Sequence, residues 1–240
     1  MSGSLWLLPV ALGDAPWQGY LPPAAREVAC RLTHFVAENA KSARAELKRM
    51  EHPIPLRDLA IEQLPENLDS ADIERLLAPL YAGHDIGLMS DAGCPAVADP
   101  GALLVRRAHE LGLRVKPLVG PSSILLALMS SGLNGQRFTF HGYLPAKEPE
   151  RSQRIIDLEK ESIRLQQTQI FIETPYRNLV LFNALTANAR PQTLLCLATD
   201  LTLESEYVMT RSIGEWKKQG IPPIDKRPSV FLFLATHSSI

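Results

Sequence analysis

Short apolar runs alternate with stretches of helical periodicity through the first half of the chain. Leu5-Trp6-Leu7-Leu8-Pro9-Val10 predicts a first strand, ending in Ala11-Leu12-Gly13-Asp14. Pro22 to Arg31 predicts a helix, His34 to Ala37 a second strand ending at Glu38-Asn39, and Lys41 to Met50 a charged helix closed by Pro53. Arg57 to Gln63 predicts a third strand. Ser70 to Tyr81 predicts a helix, with Ile73, Leu76, Leu77 and Leu80 on one face and Gly83 beyond its end. Ile86-Gly87-Leu88-Met89 predicts a buried strand that stops at Ser90-Asp91. A loop of small residues follows, with Asp99 placed to cap a helix and Pro100 at its first position. Leu113 to Val119 predicts a further strand, and Gly120-Pro121-Ser122-Ser123 opens a helix from Ile124 to Ser130. Strand and helix alternating at this spacing predict a mostly parallel sheet with helices on both faces.

The second half changes texture. Arg137 to Tyr143 alternates like a strand, and Lys147 to Gln167 predicts a polar helix with only Ile155, Ile156, Leu158, Ile163 and Leu165 to bury. Gln169 to Ile172 predicts a buried strand that ends in Glu173-Thr174-Pro175-Tyr176-Arg177-Asn178 and enters a helix carrying Leu179, Phe182 and Leu185. Thr193 to Ala198, Glu206 to Thr210 and Ser229 to Ala235 predict closing strands joined by turns, hence a mixed sheet. The expected architecture is α/β: a domain at 1–119 with a mostly parallel sheet, and a domain at 120–240 with a mixed one.

Composition narrows this picture. The 240 residues are 45% hydrophobic, ample for a core, and mean hydropathy is −0.03. The net charge of −1 advertises no overall basic field for nucleic acid or anionic membrane. Cys30, Cys94 and Cys196 are far apart and odd in number, which fits a reducing compartment better than a disulfide framework. No Lys or Arg precedes Arg26, Pro9 breaks the apolar run Leu5 to Leu12, and no run approaches membrane-spanning length. Residues 1 to 4 read as a loose terminus, and the expected location is cytoplasmic.

Several chemistries drop out. No two glycines are spaced as G-x-G and no Gly-Lys pair exists, so neither the dinucleotide fingerprint nor a P-loop is present. Ile124 stands where a nucleophile elbow needs its second glycine. His34, His52, His84, His109, His141 and His237 share no ligand spacing, and each alone reads as a surface or core histidine; no metal is expected. Three loops remain: Pro9 to Asp14, Ser90 to Gly101 and Val119 to Ser123. All follow predicted strands, and a parallel sheet gathers such ends along one edge. Ser122 and Ser123 stand at a helix N-terminus, which favours a carboxylate or phosphate. A backbone-rich cleft with one carboxylate, Asp91, and one anion-binding helix end suits a zwitterionic cofactor that carries an adenosine. S-adenosylmethionine fits; so does a nucleotide, and physics alone does not separate them.

Ser90-Asp91-Ala92-Gly93-Cys94-Pro95, Asp99-Pro100-Gly101, Val119 to Ser123, Ser131-Gly132-Leu133, Phe138 to Pro145 and Ile170 to Arg177 resemble, in order, the tetrapyrrole methylase superfamily of class III methyltransferases. Within it the resemblance is nearest to the 16S rRNA (cytidine-2′-O)-methyltransferase I family. It implies two α/β domains, a homodimer, and S-adenosylmethionine folded in a cleft between the domains. Pro9, Leu12, Asp91, Cys94, Ser122, Ser123, Glu173 and Thr174 are then nearest the cofactor, with Ala198 and Ser229 beside them. Two departures fall at the mouth of that cleft. The family usually reads threonine-proline-isoleucine-glycine-asparagine where this chain has Val10-Ala11-Leu12-Gly13-Asp14, and a run of glutamate, aspartate, threonine and arginine where it has Glu38-Asn39-Ala40-Lys41.

Methyl transfer from a sulfonium is an in-line displacement, so the protein mainly aligns the groups and excludes water. A ribose hydroxyl is a weak nucleophile and calls for a base, for which Glu38 is the candidate, and for a positive charge, for which Arg177 is the candidate. A carbon nucleophile on a tetrapyrrole needs less help, so such a C-methyltransferase is the enzymatic alternative. A cofactor-binding module that lost catalysis with the changes at Asn39 and Ala40 is another. For an rRNA or small-subunit partner, Lys41, Arg44 and Lys48 share one helical face with Arg49 adjacent, and Lys147, Arg151 and Arg154 line a second. Most such faces are simply solvated; a dimer doubles a modest patch.

Overall fold

The computed structural model describes residues 2–236; Met1 and His237 lie outside them. The chain divides into two compact units, with the break between Ser122 and Ser123. Among the described residues each unit holds a five-stranded sheet.

The first unit alternates β1 (Ser4–Leu7), α1 (Pro23–Ala29), β2 (His34–Ala37), α2 (Ala40–Arg49), β3 (Ala60–Gln63), α3 (Ser70–Tyr81), β4 (Ile86–Met89), α4 (Ala102–Glu110) and β5 (Arg114–Pro117). The sheet order is β3-β2-β4-β1-β5 and every pairing is parallel. Successive strand residues face opposite ways, and the two cores follow from that. Phe35, Ala37 and Met89 pack with Ala25, Ala29, Ala43 and Leu47 of α1 and α2. Val36, Ile86 and Leu88 pack with Leu76, Leu77, Leu80, Leu104 and Ala108 of α3 and α4. Gly87 makes room on the first side, because a Cβ there would lie 2.8 Å from the Phe35 ring.

The start of the chain is not loose from Gly3 onward. Gly3 and Ser4 are buried, the Gly3 N–H donates to Leu80 O at 2.8 Å, and the Ser4 N–H to Asp85 Oδ1 at 2.6 Å. A Cβ at residue 3 would stand 1.9 Å from His84 O, so only glycine fits this approach. The third predicted strand is shorter than expected, since Leu56–Asp58 forms a 3₁₀ turn before β3.

The second unit runs α5 (Ser123–Ser131), β6 (Phe138–Tyr143), α6 (Glu150–Leu165), β7 (Thr168–Ile172), α7 (Asn178–Asn188), β8 (Leu194–Thr199), β9 (Tyr207–Ser212), α8 (Ile213–Gln219) and β10 (Ser229–Leu234). The order β6-β7-β10-β8-β9 is mixed: β6 and β7 are parallel, and the other neighbours antiparallel. Among the described residues only β8 and β9 form a hairpin. Helix α8 separates β9 from β10, and β10 inserts between β7 and β8, where a closing turn was expected. A capping box, Ser212 with Glu215, starts α8. The core joins α6, α7 and α8 to one sheet face through Ile155, Leu158, Phe182, Trp216, Phe171 and Phe231, and the Trp216 Nε1–H donates to Leu195 O at 2.9 Å. Among the described residues no helix is long and apolar enough to cross a membrane.

Candidate functional site

In the first unit the three singled-out loops follow the carboxyl ends of β1, β4 and β5, neighbours in the sheet, and they touch. Val10 and Gly93 form an isolated antiparallel bridge, with N–H···O distances of 2.9 and 3.3 Å. Gly93 sits at a φ of 73°, where a side chain is strained, and a Cβ there would press on Leu12 at 3.1 Å. Gly120 lies against Pro9, with room for no Cβ, which would stand 2.4 Å from the Pro9 ring. The Cys94 Sγ–H donates to Pro121 O at 3.3 Å, and burial pushes this thiol up from its ordinary pKa. Pro9, Leu12 and Cys94 are thus brought together, with Ser122 closing the third loop. Ser123 opens α5.

Connections leave β2 and β4 in opposite directions along the sheet, which makes the gap between these strands a topological switch point. Glu38 and Asp91 stand there. Glu38 Oε2 accepts the Asp91 N–H at 3.3 Å, while the Asp91 side chain is exposed. Asp99 does not cap α4. That helix starts at Ala102 after Gly101, and Asp99 Oδ1 instead accepts the N–H of Gly101 at 2.6 Å and of Ala96 at 3.3 Å. It braces a loop in which Ala96 and Ala98 both hold the left-handed conformation, at φ of 64° and 58°. Asp99 Oδ2 is buried with no hydrogen-bond partner. Burial first, and then the Asp99 carboxylate, push Glu38 above the usual carboxylate range; burial raises Asp99 as well.

Beside this switch point a cavity of about 240 Å³ is walled by the loop 10–13, by Ser42, Ala45, Glu46 and Arg49 of α2, and by Ser90 and Asp91. A cavity of about 300 Å³ at the opposite, amino edge is lined by Trp6, Arg31, His84 and Asp85. The smaller one lies where open α/β sheets place ligands. Its wall holds a network that the sequence pattern conceals. Glu46 is 4% exposed; its Oε1 accepts the Ala11 N–H at 3.1 Å and the Tyr20 hydroxyl, and its Oε2 accepts from Arg49. Arg49 also donates to Asp14 Oδ1 at 2.9 Å, so it is not part of a solvated basic face, whereas Lys41, Arg44 and Lys48 are exposed. Burial and Glu46 together push the Tyr20 phenol well above its ordinary pKa. The one available signal for Glu46 was a carboxylate on the apolar stripe Ala43, Leu47, Met50.

In the second unit Glu173 follows β7 and is buried. Its Oε1 accepts the Thr174 N–H at 2.6 Å and Arg177 Nη2–H and Nε–H at 2.6 and 3.0 Å; its Oε2 is buried without a partner. Arg177 is therefore committed to Glu173. Ser229 is buried, its Oγ 2.9 Å from Thr199 Oγ1 and 3.0 Å from Arg227 O, and the Asn178 amide reaches the same hydroxyl at 3.3 Å. Ala198, 1% exposed, opposes Val230 inside the sheet. On the other predicted basic face, Arg151 is 6% exposed and paired with Glu148 at 2.7 Å, which leaves Lys147 and Arg154 apart from it. Among the described residues no three His, Cys, Asp or Glu side chains are grouped to hold a metal ion.

No protein-family model matches the chain. Over 232 residues it is 32% identical to a ribosomal RNA small subunit methyltransferase I of Xylella fastidiosa, covering 97% of this chain and 81% of that protein. Its match to the Escherichia coli O157:H7 protein of the same name is 36% identical over 159 residues, 65% of this chain and 54% of that one. The crystal structure of the methyltransferase CobJ superposes over 98% of this chain and 95% of its own, with a TM-score of 0.65 at 15% identity. That of a uroporphyrin-III-C-methyltransferase from Thermus thermophilus covers 98% and 93%, with a TM-score of 0.54 at 17% identity. These two share the fold. By its near full-length match to the first of these relatives, the chain belongs to the ribosomal RNA small subunit methyltransferase I family.

Proposed function

We propose that this methyltransferase is a cytoplasmic homodimer that methylates a ribose 2′-hydroxyl of small-subunit rRNA, with S-adenosylmethionine as the donor. The observation that carries the reading is the near full-length relation to proteins of that name, together with the meeting of three loops at one sheet edge. The residues fit the donor on two counts. The orphaned Glu173 Oε2 is a buried acceptor in want of an N–H or O–H, and the cofactor offers an ammonium and ribose hydroxyls. Asp91 presents an exposed carboxylate beside the backbone of the first two loops. When bound, the cofactor supplies an electrophilic methyl group on a sulfonium.

In this reading Glu38 is the general base. It takes the proton of the acceptor hydroxyl, and its raised pKa brings it closer to the basicity that the task needs. The Asp91 N–H fixes the carboxylate that does so. Arg177 donates its Nε–H and Nη2–H to Glu173 and so orients that carboxylate instead of serving an oxyanion. Pro9, Leu12, Cys94, Ser122 and Ser123 are proposed donor contacts, as are Thr174, whose N–H Glu173 accepts, Ala198 and Ser229. The dimer is supported by Leu125 and Met129, exposed one turn apart on α5.

The test is transfer of a labelled methyl group, in parallel, to naked rRNA, assembled small subunits and porphyrinogens. Label in RNA, found after hydrolysis on a ribose, is the expected result. Label on the porphyrinogen alone would assign a tetrapyrrole acceptor, and tight cofactor binding with label nowhere would leave a binding module.

A further inference from the structure

The cavity beside α2 has a construction that goes beyond holding a cofactor. Its far wall carries a guanidinium held by two carboxylates of unlike standing. Glu46 is 5% exposed in its side chain, and with Tyr20 and Ala11 also bound to it, it is fixed. Asp14 is 98% exposed and holds Arg49 by one contact at 2.9 Å. An exposed pair of this kind contributes little, so a stronger anion displaces it without disturbing the fold. A phosphate is such an anion: it carries more charge than a carboxylate and binds a guanidinium in bidentate geometry. Meanwhile Glu46 keeps Arg49 pointing the same way before and after the exchange.

The rest of the lining is suited to a sugar. Ser42 supplies a hydroxyl, Asp91 an exposed carboxylate, and the loop 10–13 a backbone surface, with Ala45 as the only apolar patch on the helix wall. The exposed cations Lys41, Arg44 and Lys48 lie on the neighbouring face of the same helix, where a polyanion passing the cavity meets them. We propose that this cavity takes one nucleotide of the RNA acceptor, its phosphate replacing Asp14 on Arg49 and its sugar facing Ser42 and Asp91. The assignment rests on the reading that RNA is the substrate, and it adds Arg49 as the phosphate contact and Glu46 as its positioning residue. It also gives a physical meaning to the two departures from the family pattern: Asp14 is the displaceable anion, and the helix that carries its partner starts at Ala40.

The experiment titrates cytidine monophosphate and cytidine into the protein by calorimetry, for wild type, Asp14→Ala and Ser42→Phe. S-adenosylmethionine affinity and thermal melting are measured on the same samples. The monophosphate should bind wild type about tenfold more tightly than the nucleoside, the size of one charge-assisted contact. Asp14→Ala should tighten the monophosphate about threefold and leave the nucleoside unchanged, because only the competing anion is gone. Ser42→Phe should remove both, with cofactor affinity and melting temperature retained. Equal affinity for the two probes, no measurable binding of either, or no effect of Asp14→Ala would overturn the proposal. So would loss of cofactor affinity in a folded Ser42→Phe protein, which assigns the cavity to the donor. A wild-type protein that shows the expected affinities but labels no RNA defeats the proposed function and leaves the pocket standing.

Discussion

Two carboxyl groups at the switch point carry the pH dependence. Glu38 must be ionised to accept a proton, and its pKa lies above the usual carboxylate range. Transfer should therefore fall, as pH is lowered, at a higher pH than an ordinary glutamate predicts. Glu38→Gln should lose the transfer and that limb together, and keep cofactor affinity; a Gln variant with the wild-type acid limb would clear Glu38. Asp99 also has a raised folded pKa, so its protonated form is the one the fold favours. That contribution is present below the unfolded pKa and is lost as pH rises through the folded one. Asp99→Asn keeps the acceptor for Gly101 and Ala96 and removes the charge. Its gain in melting temperature over wild type should grow as pH rises from the unfolded carboxylate value through the raised folded one and then level off, which a series of thermal melts checks. The strand-end positions of Glu38 and Asp91 were legible because apolar runs stop there; the role of Asp99 was not, because a local Asp-Pro-Gly pattern fits a cap and a braced loop equally. Glu46 was illegible for a different reason. Its partners, Ala11, Tyr20 and Arg49, come from three separate segments, and only folding makes a charge on an apolar stripe tolerable.

At the level of elements, β1 through α5 were readable because each buried strand is a short apolar run between polar helices. Where the reading failed, a tertiary partner had overruled local pattern. Helix α8 carries Gly214 and is short, but its Ser212–Glu215 box and the burial of Ile213 and Trp216 hold it. Helix α6 starts at Glu150 rather than Lys147, after Pro149 in the cap position. The loop elements tolerate less change than the helices. Gly120→Ala would drive a methyl group into the Pro9 ring, and both segments would have to shift. A stability loss of about 1–3 kcal/mol is expected, typical of overpacking, and chemical denaturation measures it. A variant as stable as wild type would show that the Pro9 and Val119–Ser123 loops are not in fixed contact.

For the whole molecule, composition excluded more than it specified. A net charge of −1 hid the local row Lys41, Arg44 and Lys48, which sits one helical face away from Glu46. Two α/β units with one parallel and one mixed sheet followed from where strand–helix alternation stops. The insertion of β10 between β7 and β8 did not, since no local signal encodes a neighbour that far along the chain. The proposed dimer makes a firm demand: light scattering at micromolar concentration should give twice the 26.5 kDa chain mass. Replacing Leu125 and Met129 on α5 by Lys should halve that mass and leave the fold intact. A wild-type monomer would remove the dimer from the model.

Trp216 is the only tryptophan beyond Ser122, and its indole is buried and bound to Leu195 O. With Trp6 and Trp17 changed to Phe, the remaining tryptophan fluorescence, excited selectively over tyrosine, belongs to the second unit alone. Its emission should start blue and shift red on denaturation at the point where the α7–α8 core opens. Far-ultraviolet circular dichroism of the same sample reports helices of both units. Coincidence or separation of the two curves then states directly whether the halves of this chain melt as one body or in turn.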